Sequence, residues 1–231
     1  MCGIVCAFDI KSNSDFVRSN VLKMAKKVRH RGPDWSGYKT YGNHAIAHER
    51  LAIIDPESGA QPLMSRDESI VVAVNGEIYN YKDVYAELET KYDPVTGSDC
   101  EVMIPLYQQL GIEKMAKKLR GMFAVVIYDK SDDSYCAVRD HLGKIPMYIG
   151  YGADGSVWFA SELKALFQMG IPKSVDPAQL DTFMLVQYIP SPHTLIKNVS
   201  RLGPGAHLVV DLKSGHHSTS RYIQPTQHRY C

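Results

Sequence analysis

Apolar and polar positions alternate along the chain in two distinct patterns. Residues 3–10 are almost continuously apolar, which predicts a buried strand. Residues 12–29 instead repeat apolar side chains every three or four positions, which predicts a helix capped by Ser14 or Asp15. The apolar face of this helix consists of Val17, Val21, Met24 and Val28.

The next segments mix strands with short helices. Residues 30–43 show neither period and predict a loop. Residues 44–55 and 68–79 are rich in β-branched side chains and predict two strands that pair with each other. Residues 81–92 return to helical spacing and predict a second helix.

A third helix is predicted over residues 97–111. Ser98 and Glu101 have the spacing of a capping box, in which each side chain bonds the backbone N–H of the other residue. Pro105 lies inside this segment and predicts a bend, because proline removes one backbone donor.

Two hairpins are predicted next, over residues 122–140 and 146–162, the second turning at Asp154-Gly155. Strands outnumber helices and are joined mostly by hairpins. This pattern predicts an α+β fold of antiparallel sheets with helices on their outer faces.

The pattern changes from about Gln168 onwards. A helix is predicted before a cluster of prolines, and residues 207–212 predict a short strand. Residues 213–231 are polar and follow neither period, so they predict a tail without regular structure.

The composition of the chain argues against several classes of function. The 231 residues carry 26 Lys and Arg against 25 Asp and Glu, and this balance argues against nucleic acid and membrane surfaces as partners. No apolar run approaches the roughly 20 residues that span a bilayer, and no signal peptide is recognisable. The five cysteines are scattered without a CxxC pair, which suggests neither a disulfide framework nor a metal site. We therefore expect a cytoplasmic protein.

The position of Cys2 suggests a catalytic nucleophile but does not by itself establish one. Initiator methionine is removed before small residues, and the mature chain would then begin with a thiol and a free α-amino group on Cys2. Their ordinary pKa values are about 8.5 and about 7.7–8.0, so the amine can take the thiol proton near neutral pH. The alternative is a small buried residue at the start of a strand.

Six motifs in one order decide between these interpretations. They are MCGI at Met1, RHRGPDWSG at Arg29, HERLAIID at His48, AVNGEIYN at Ala73, TGSDCEV at Thr96 and RDHLGKIPMY at Arg139. Together they resemble the class II glutamine amidotransferase domain of the N-terminal-nucleophile hydrolases. Within that class they are most similar to the N-terminal glutaminase domain of the asparagine synthetase B family. The resemblance covers residues 2–212, nearly the whole chain.

The resemblance implies a thioester mechanism for glutamine hydrolysis. Cys2 would attack the side-chain amide carbon of L-glutamine. The side-chain amide of Asn75 and the backbone N–H of Gly76 would stabilise the oxyanion. An isolated Asn-Gly pair is more often a hairpin turn, but here it continues into apolar sequence.

The resemblance also implies a clamp for the two charged ends of free glutamine. Arg50 would bind the α-carboxylate through two parallel hydrogen bonds. Asp99 would bind the α-ammonium with Glu77 nearby, although a carboxylate at a helix N-terminus can also be purely structural. Backbone groups of Leu51, Ala52, Ile53 and Ile54 would line the pocket. Residues 31–34 would form a rigid loop beside the nucleophile, without a catalytic role.

The implied fold is a four-layer αββα sandwich of two antiparallel sheets flanked by helices. The family's ATP-binding synthetase domain, with its SGGxDS loop, has no counterpart here, because the chain contains no SGG. We therefore expect no cofactor in this chain, with ATP and Mg²⁺ belonging to a synthetase domain or chain that receives the ammonia. Two alternatives remain open: a non-catalytic binding or regulatory fragment, and the glutaminase subunit of another class II amidotransferase.

Overall fold

The computed structural model describes residues 1–223 and consists of two six-stranded antiparallel sheets with helices on both outer faces. The strands are β1 (Gly3–Phe8), β2 (Trp35–Tyr41), β3 (His44–Arg50), β4 (Leu63–Met64), β5 (Ile70–Ile78), β6 (Gly121–Asp129), β7 (Ser134–Arg139), β8 (Tyr148–Tyr151), β9 (Val157–Ala160), β10 (Val199–Arg201), β11 (Ala206–Asp211) and β12 (His217–Arg221). The helices are α1 (Ser14–Val28), α2 (Tyr81–Ala86), α3 (Met103–Lys118), α4 (Leu163–Leu166) and α5 (Pro177–Val186). The first sheet has the order β10-β8-β9-β1-β3-β2 and the second β12-β11-β7-β6-β5-β4.

Three apolar clusters separate four layers. One joins α1 and α4 to the outer face of the first sheet. The second fills the space between the two sheets. The third joins α2 and α3 to the outer face of the second sheet. The predicted αββα sandwich is therefore confirmed, and both sheets are buried because each has apolar residues on its two faces.

The central strand β1 places the N-terminus. It pairs antiparallel with β3 and with β9, and all six of its residues are buried, as the apolar run 3–10 predicted. Helix α1 then runs back along the outer face and buries all four predicted apolar positions. Its cap is Asn13, one residue before the predicted position, whose side chain accepts a hydrogen bond from the Phe16 N–H.

Two strand predictions are wrong because pairing is decided by distant segments. The strands β3 and β5 do not pair; they lie in different sheets that face each other. The predicted loop 30–43 contains the edge strand β2, which pairs with β3 over its whole length. Its side chains are largely exposed, which removes the apolar signal that marks a buried strand.

The third predicted helix begins as expected and bends elsewhere. The Ser98 side chain accepts a hydrogen bond from the Cys100 N–H and starts a short 3₁₀ segment, Asp99–Val102. The bend of α3 lies at Gly111, where φ is 71°, and not at Pro105, which sits in the first turn where a missing donor costs nothing. Both hairpins are confirmed as β6–β7 and β8–β9.

The tail prediction is wrong for one segment. Residues 217–221 form β12, which pairs with β11 through backbone hydrogen bonds while its side chains stay exposed. This all-polar edge strand has no apolar alternation to detect. Residues 224–231 of the predicted tail lie outside the described residues.

Glu101 supports the loop that leads into the site. Its buried carboxylate accepts hydrogen bonds from the Tyr92 hydroxyl and from the backbone or hydroxyl groups of Val95 and Thr96, instead of closing the predicted capping box. We expect Glu101→Ala to destabilise the fold by about 2–4 kcal/mol, because four hydrogen-bond donors lose their buried, charged acceptor. Urea unfolding measures this loss.

The matched control is Glu113→Gln, an exposed partner of Lys117 on α3. Its effect on the free energy of unfolding should be much smaller than that of Glu101→Ala, because exposed ion pairs contribute little. Equal effects of the two substitutions would contradict a supporting role for Glu101.

Candidate active site

Cys2 lies at the edge of the sandwich where β1 begins. Its neighbour Gly3 pairs with Glu49, which brings Cys2 beside the end of β3. The Leu51 N–H donates to the Cys2 sulfur at 3.4 Å, and the sulfur lies 3.7 Å from the Leu51 carbonyl oxygen. The thiol is therefore held by backbone groups at the point where β3 turns into a loop.

A small cavity of about 40 Å³ opens beside the Cys2 thiol. Met1 lines the cavity and is itself about half exposed, so removal of Met1 enlarges it. The lining consists of Met1, Cys2, Arg50, Leu51, Ile53, Ile54, Gln61, Gly76, Glu77, Ser98, Asp99, Cys100 and Met122.

Burial raises the pKa of the Cys2 thiol. The Leu51 N–H and the positive charges of the chain terminus, Arg50 and Arg31 act in the opposite direction, but burial is the larger effect. A thiol in this position needs a nearby base to become a nucleophile.

Arg50 closes β3 and orders the loop that follows. Its buried guanidinium donates to the carbonyl oxygens of Ile54 at 2.9 Å and Asp55 at 2.5 Å, and to Pro56 at 3.4 Å. In the described part of the chain these bonds use Nη2 and one hydrogen of Nη1, which leaves Nε and a second Nη1 hydrogen for a ligand. Arg50 therefore lines the cavity and also fixes one of its walls.

Asp99 stands on another side of the cavity, close to Glu77. Its Oδ2 accepts a 2.6 Å hydrogen bond from the Ile78 N–H at the end of β5. Burial raises the pKa of the Asp99 carboxyl, an effect that this hydrogen bond opposes and the neighbouring Glu77 charge reinforces. A bound cation would offset both raising influences.

The Asn75-Gly76 pair lies within the strand β5, not in a hairpin turn. Gly76 lines the cavity, and a side chain there would be impossible because a Cβ would lie 2.0 Å from the Met122 carbonyl oxygen. Asn75 is fully buried beside the cavity lining, with its Nδ2 at 3.5 Å from Ser161 Oγ. Its Oδ1 has no partner among the described residues.

The loop after β3 supplies three of its four predicted lining residues. Leu51, Ile53 and Ile54 face the cavity. Ala52 lies outside the lining, and its N–H donates to the Asp34 carboxylate at 2.9 Å. The loop 31–34 thus supports the cavity wall from behind.

The same loop also holds the backbone of Cys2. The Arg31 Nε donates to the Cys2 carbonyl oxygen at 2.8 Å, and its Nη1 lies 3.1 Å from Glu162. Burial raises the pKa of Glu162, but hydrogen bonds from Lys164 and Arg31 and the His30 charge outweigh it and lower the pKa to about 2. Arg31 is therefore anchored by a carboxylate that stays charged.

Sequence reasoning missed several lining residues. Gln61 bonds both backbone groups of Val74, donating to its oxygen at 3.1 Å and accepting from its nitrogen at 2.7 Å. Cys100 and Met122 face the cavity from the 3₁₀ segment and from β6. Only the position of Cys100 beside Asp99 in TGSDCEV could have indicated its place, because Gln61 and Met122 lie in segments without a motif.

Within residues 1–223, no three His, Cys, Asp or Glu side chains are arranged to hold a metal ion. None of the helices described there is long and apolar enough to cross a membrane.

Comparison with known sequences gives consistent relatives. Residues 1–223 match the family model described as a glutamine amidotransferase domain. Asparagine synthetase [glutamine-hydrolyzing] 3 of Arabidopsis thaliana is 51% identical over 166 residues, which cover 72% of this chain and 28% of that protein. Asparagine synthetase B of Escherichia coli (strain K12) is 49% identical over 166 residues, or 72% of this chain and 30% of that protein. The chain thus spans less than a third of the length of the curated relatives it matches.

Solved structures share the fold at low sequence identity. A glutamine phosphoribosylpyrophosphate amidotransferase from B. subtilis superposes with a TM-score of 0.66 at 19% identity, covering 96% of this chain and half of that one. A structure described as the allosteric regulatory enzyme of purine biosynthesis gives 0.69 at 18% identity, covering 96% and 49%. The fold is that of the class II, N-terminal-nucleophile amidotransferases. From this fold and the family match over residues 1–223, the chain belongs to the glutamine amidotransferase domain family, with the glutamine-hydrolysing asparagine synthetases among its relatives.

Proposed function

We propose that this chain hydrolyses L-glutamine to L-glutamate and ammonia through a thioester on Cys2. The observation that carries the proposal is the charge arrangement around one thiol. The cavity holds Cys2, a cationic Arg50 and the two acidic residues Asp99 and Glu77. A free amino acid with a carboxylate, an ammonium and a reactive side-chain amide has the matching three groups.

In the proposed mechanism, the α-amino group of Cys2 accepts the thiol proton as sulfur attacks the amide carbon. The tetrahedral intermediate places its negative oxygen near the Gly76 N–H, with the Asn75 amide as the second donor. The protonated amine then gives its proton to the leaving nitrogen, and ammonia departs. Water attacks the resulting thioester and releases glutamate, which restores the thiol.

Removal of Met1 is a requirement of this mechanism for two reasons. While Met1 is attached, the nitrogen of Cys2 is an amide without basicity. Met1 also lines the cavity beside the thiol, so its removal opens space next to the nucleophile.

Ammonia release from glutamine tests the proposal directly. Intact-mass analysis of the purified protein first establishes whether Met1 is present. A protein without Met1 should release ammonia and glutamate in equal amounts. No turnover by that protein would favour the non-catalytic alternative.

We further propose that the ammonia serves a synthetase domain or chain that makes asparagine from aspartate. The relatives named for that reaction are more than three times as long as the matched region. A carboxylate must be activated before it reacts with ammonia, and in the family this step uses ATP and Mg²⁺ in the synthetase domain.

The purified chain alone should therefore form glutamate and ammonia as its only products. Adding ATP, Mg²⁺ and aspartate should release no pyrophosphate and form no asparagine, because the chain has no recognisable phosphate-binding loop. Amino-acid chromatography and a pyrophosphate assay measure both products. Asparagine in the mixture would refute this prediction.

A further inference from the structure

Another cavity, of about 310 Å³, opens at the end of the sandwich opposite Cys2. The strand β1 begins beside Cys2 and runs away from it to Phe8, and the next residue, Asp9, lines this cavity. The turns of two hairpins flank the opening through Gly155, between β8 and β9, and Gly215, between β11 and β12. These hairpins belong to different sheets, so the cavity lies where the two sheets separate. We call it the far-end cavity.

Two rows of side chains, one from each sheet, face each other at the far-end cavity. In each row the residues pair directly across neighbouring antiparallel strands: Phe8, Val157 and Tyr151 on the first sheet, and Tyr135, Val210 and His217 on the second. Residues paired in this way share one face of a sheet. Phe8 and Val210 belong to the apolar cluster between the sheets, so both rows point inwards. All of these residues except Phe8 line the cavity.

The far-end cavity has the size and the lining of a small-molecule site. Such sites usually measure about 300–1,000 Å³ and are lined mainly by apolar and aromatic side chains. Besides the two rows, Leu208 and Leu212 line the cavity, and both belong to the inter-sheet cluster or pack against it. The cavity therefore extends the apolar surface of the inter-sheet core towards the outside, where an apolar molecule can pack against it.

The Tyr135 hydroxyl is a polar group that faces the far-end cavity. Tyr135 is only 1% exposed, and its ring stacks on Phe8 with the ring centroids 4.1 Å apart. Burial raises the pKa of the Tyr135 hydroxyl, and the nearby Tyr151 and Asp9, which also line the cavity, raise it further. Within the described part of the chain the hydroxyl makes no hydrogen bond, although buried tyrosine hydroxyls usually have a partner. A ligand in the cavity would supply that partner.

The charged residues of the far-end cavity favour a cation. Asp9 and Asp211 line it, whereas no Lys or Arg does so among the described residues. Lys11 and Asn43 both donate to Oδ1 of Asp9, which leaves its Oδ2 without a bond from the described chain. Backbone N–H groups of the turn after β11 donate to the Asp211 carboxylate and lower its pKa, so it stays charged at neutral pH. The cavity is therefore both apolar and negative, which disfavours anions.

We propose that the far-end cavity binds an aromatic amine, a flat apolar molecule that carries one primary ammonium group. The aromatic body packs between the two rows of side chains. The ammonium donates hydrogen bonds to the Tyr135 hydroxyl oxygen and to the Asp9 carboxylate, and the faces of the tyrosine rings also attract its charge. An anion of the same shape would be repelled by Asp9 and Asp211. The site requires neither Cys2 nor glutamine hydrolysis, so it is independent of the proposed function.

Titration of the whole chain with tryptamine, followed by NMR, tests the proposal. A molecule of thirteen non-hydrogen atoms with the binding energy per atom that is typical of small ligands should give a Kd of about 1 mM. Indole-3-propionate has the same aromatic body with a carboxylate in place of the ammonium, and should bind at least tenfold more weakly. Equal affinities for the two molecules, or no saturable binding of tryptamine at ten times the expected Kd, would overturn the proposal.

Substitutions in the lining locate the bound tryptamine. Val157→Phe places a larger side chain in the cavity and should weaken binding at least tenfold, whereas Val175→Phe, at an exposed position outside the lining, should leave the Kd within twofold. Asp9→Asn gives a second answer if Val157→Phe lowers the thermal unfolding midpoint. It removes the charge, while asparagine tolerates the left-handed φ of 54° at this position, and should weaken binding at least threefold. Unchanged affinity in both lining variants would overturn the site.

Two further variants distinguish the far-end cavity from the cavity beside Cys2, where Asp99 offers an ammonium another carboxylate. Asp99→Asn and Cys2→Ala should both bind tryptamine with the affinity of the unmodified protein. Loss of binding in Asp99→Asn would place the probe beside Cys2 and overturn the far-end site. Binding of tryptamine by a protein that releases no ammonia from glutamine would support the far-end site and contradict only the proposed function.

Discussion

Cys2→Ala is expected to reduce ammonia release from glutamine by roughly 10⁴-fold or more, since no other group near the cavity can form the thioester. The one other thiol in the lining, Cys100, is almost fully buried, and its sulfur lies 3.8 Å from the Gly76 carbonyl oxygen. Burial raises the pKa of the Cys100 thiol well above its usual range. It therefore cannot substitute as a nucleophile.

Cys2→Ser should be almost as inactive, because a hydroxyl is far less acidic than a thiol and a less effective nucleophile. Serine replaces the sulfur by a smaller and more polar oxygen without adding atoms, so its thermal unfolding midpoint should stay close to that of the unmodified protein. Release of glutamate, measured with mass-verified protein, separates loss of chemistry from loss of fold.

The amine of Cys2 has its own test. An N-terminal tag that cannot be removed should abolish activity as completely as Cys2→Ala, because it converts the amine to an amide. The same tag followed by a protease site that leaves Cys2 as the first residue should restore activity. Full ammonia release from a protein proven to retain Met1 would refute both the base and the requirement for excision.

Local patterns predicted the elements whose partners lie close in sequence. The helix α1 and the hairpins β6–β7 and β8–β9 follow from periodicity and turn residues within 20 residues of one another. The partner of β3 could not be predicted in this way, because β1, β2 and β5 are all possible partners in the sequence. In the folded chain β3 pairs with β1 and β2 in the first sheet, and β5 pairs with β4 and β6 in the second.

The cavity residues were predictable to the extent that motifs carry them. Four separate segments bring five residues to the cavity: Cys2, Arg50, Gly76, Glu77 and Asp99. The order of the motifs implied this convergence, which no hydrophobic periodicity could have predicted. Arg50 both lines the cavity and supports the loop 54–56. The second role could not be predicted from the sequence, because it depends on the positions of carbonyl oxygens in the folded chain. The predicted oxyanion role of Asn75 stays a prediction, since its amide nitrogen lies against Ser161.

Arg50→Ala should lower kcat/KM for glutamine by tens to thousands of fold. Loss of one partner of a buried charge pair costs about 2–5 kcal/mol, which converts to this range at 1.4 kcal/mol per tenfold. Because Arg50 also holds three loop carbonyls, a general loosening of the cavity must be separated from loss of the carboxylate contact. Arg50→Lys keeps the charge but loses the planar fork, and should fall between the two proteins.

A substrate without the α-carboxylate gives a sharper control for Arg50 than a second variant does. Glutamine α-amide lacks the carboxylate, so it should be a poor substrate for the unmodified protein and lose little more in Arg50→Ala. Cys2 should remain open to alkylation by iodoacetamide in the variant. An equal loss for both substrates would show that Arg50 acts only on the loop.

Asp99→Asn should also lower kcat/KM for glutamine by tens to thousands of fold, through loss of the charge that faces the α-ammonium. The amide oxygen can still accept the Ile78 N–H, so the end of β5 stays bonded and the unfolding midpoint should change little. Asp93→Asn removes an 86% exposed carboxylate and should leave the kinetics unchanged.

The dependence on pH separates a charge contact from a structural one. Burial raises the pKa of Asp99, so the unmodified protein should lose kcat/KM as the pH falls through that raised value and Asp99 becomes neutral. Protonation of the Cys2 α-amino group, with an ordinary pKa of about 7.7–8.0, causes a separate loss that sets in at higher pH as the pH falls and that both proteins share. Asp99→Asn is neutral at every pH and should lack only the additional loss caused by Asp99. A variant with normal glutamine kinetics, or one whose whole pH profile equals that of the unmodified protein, would show that Asp99 is not the ammonium site.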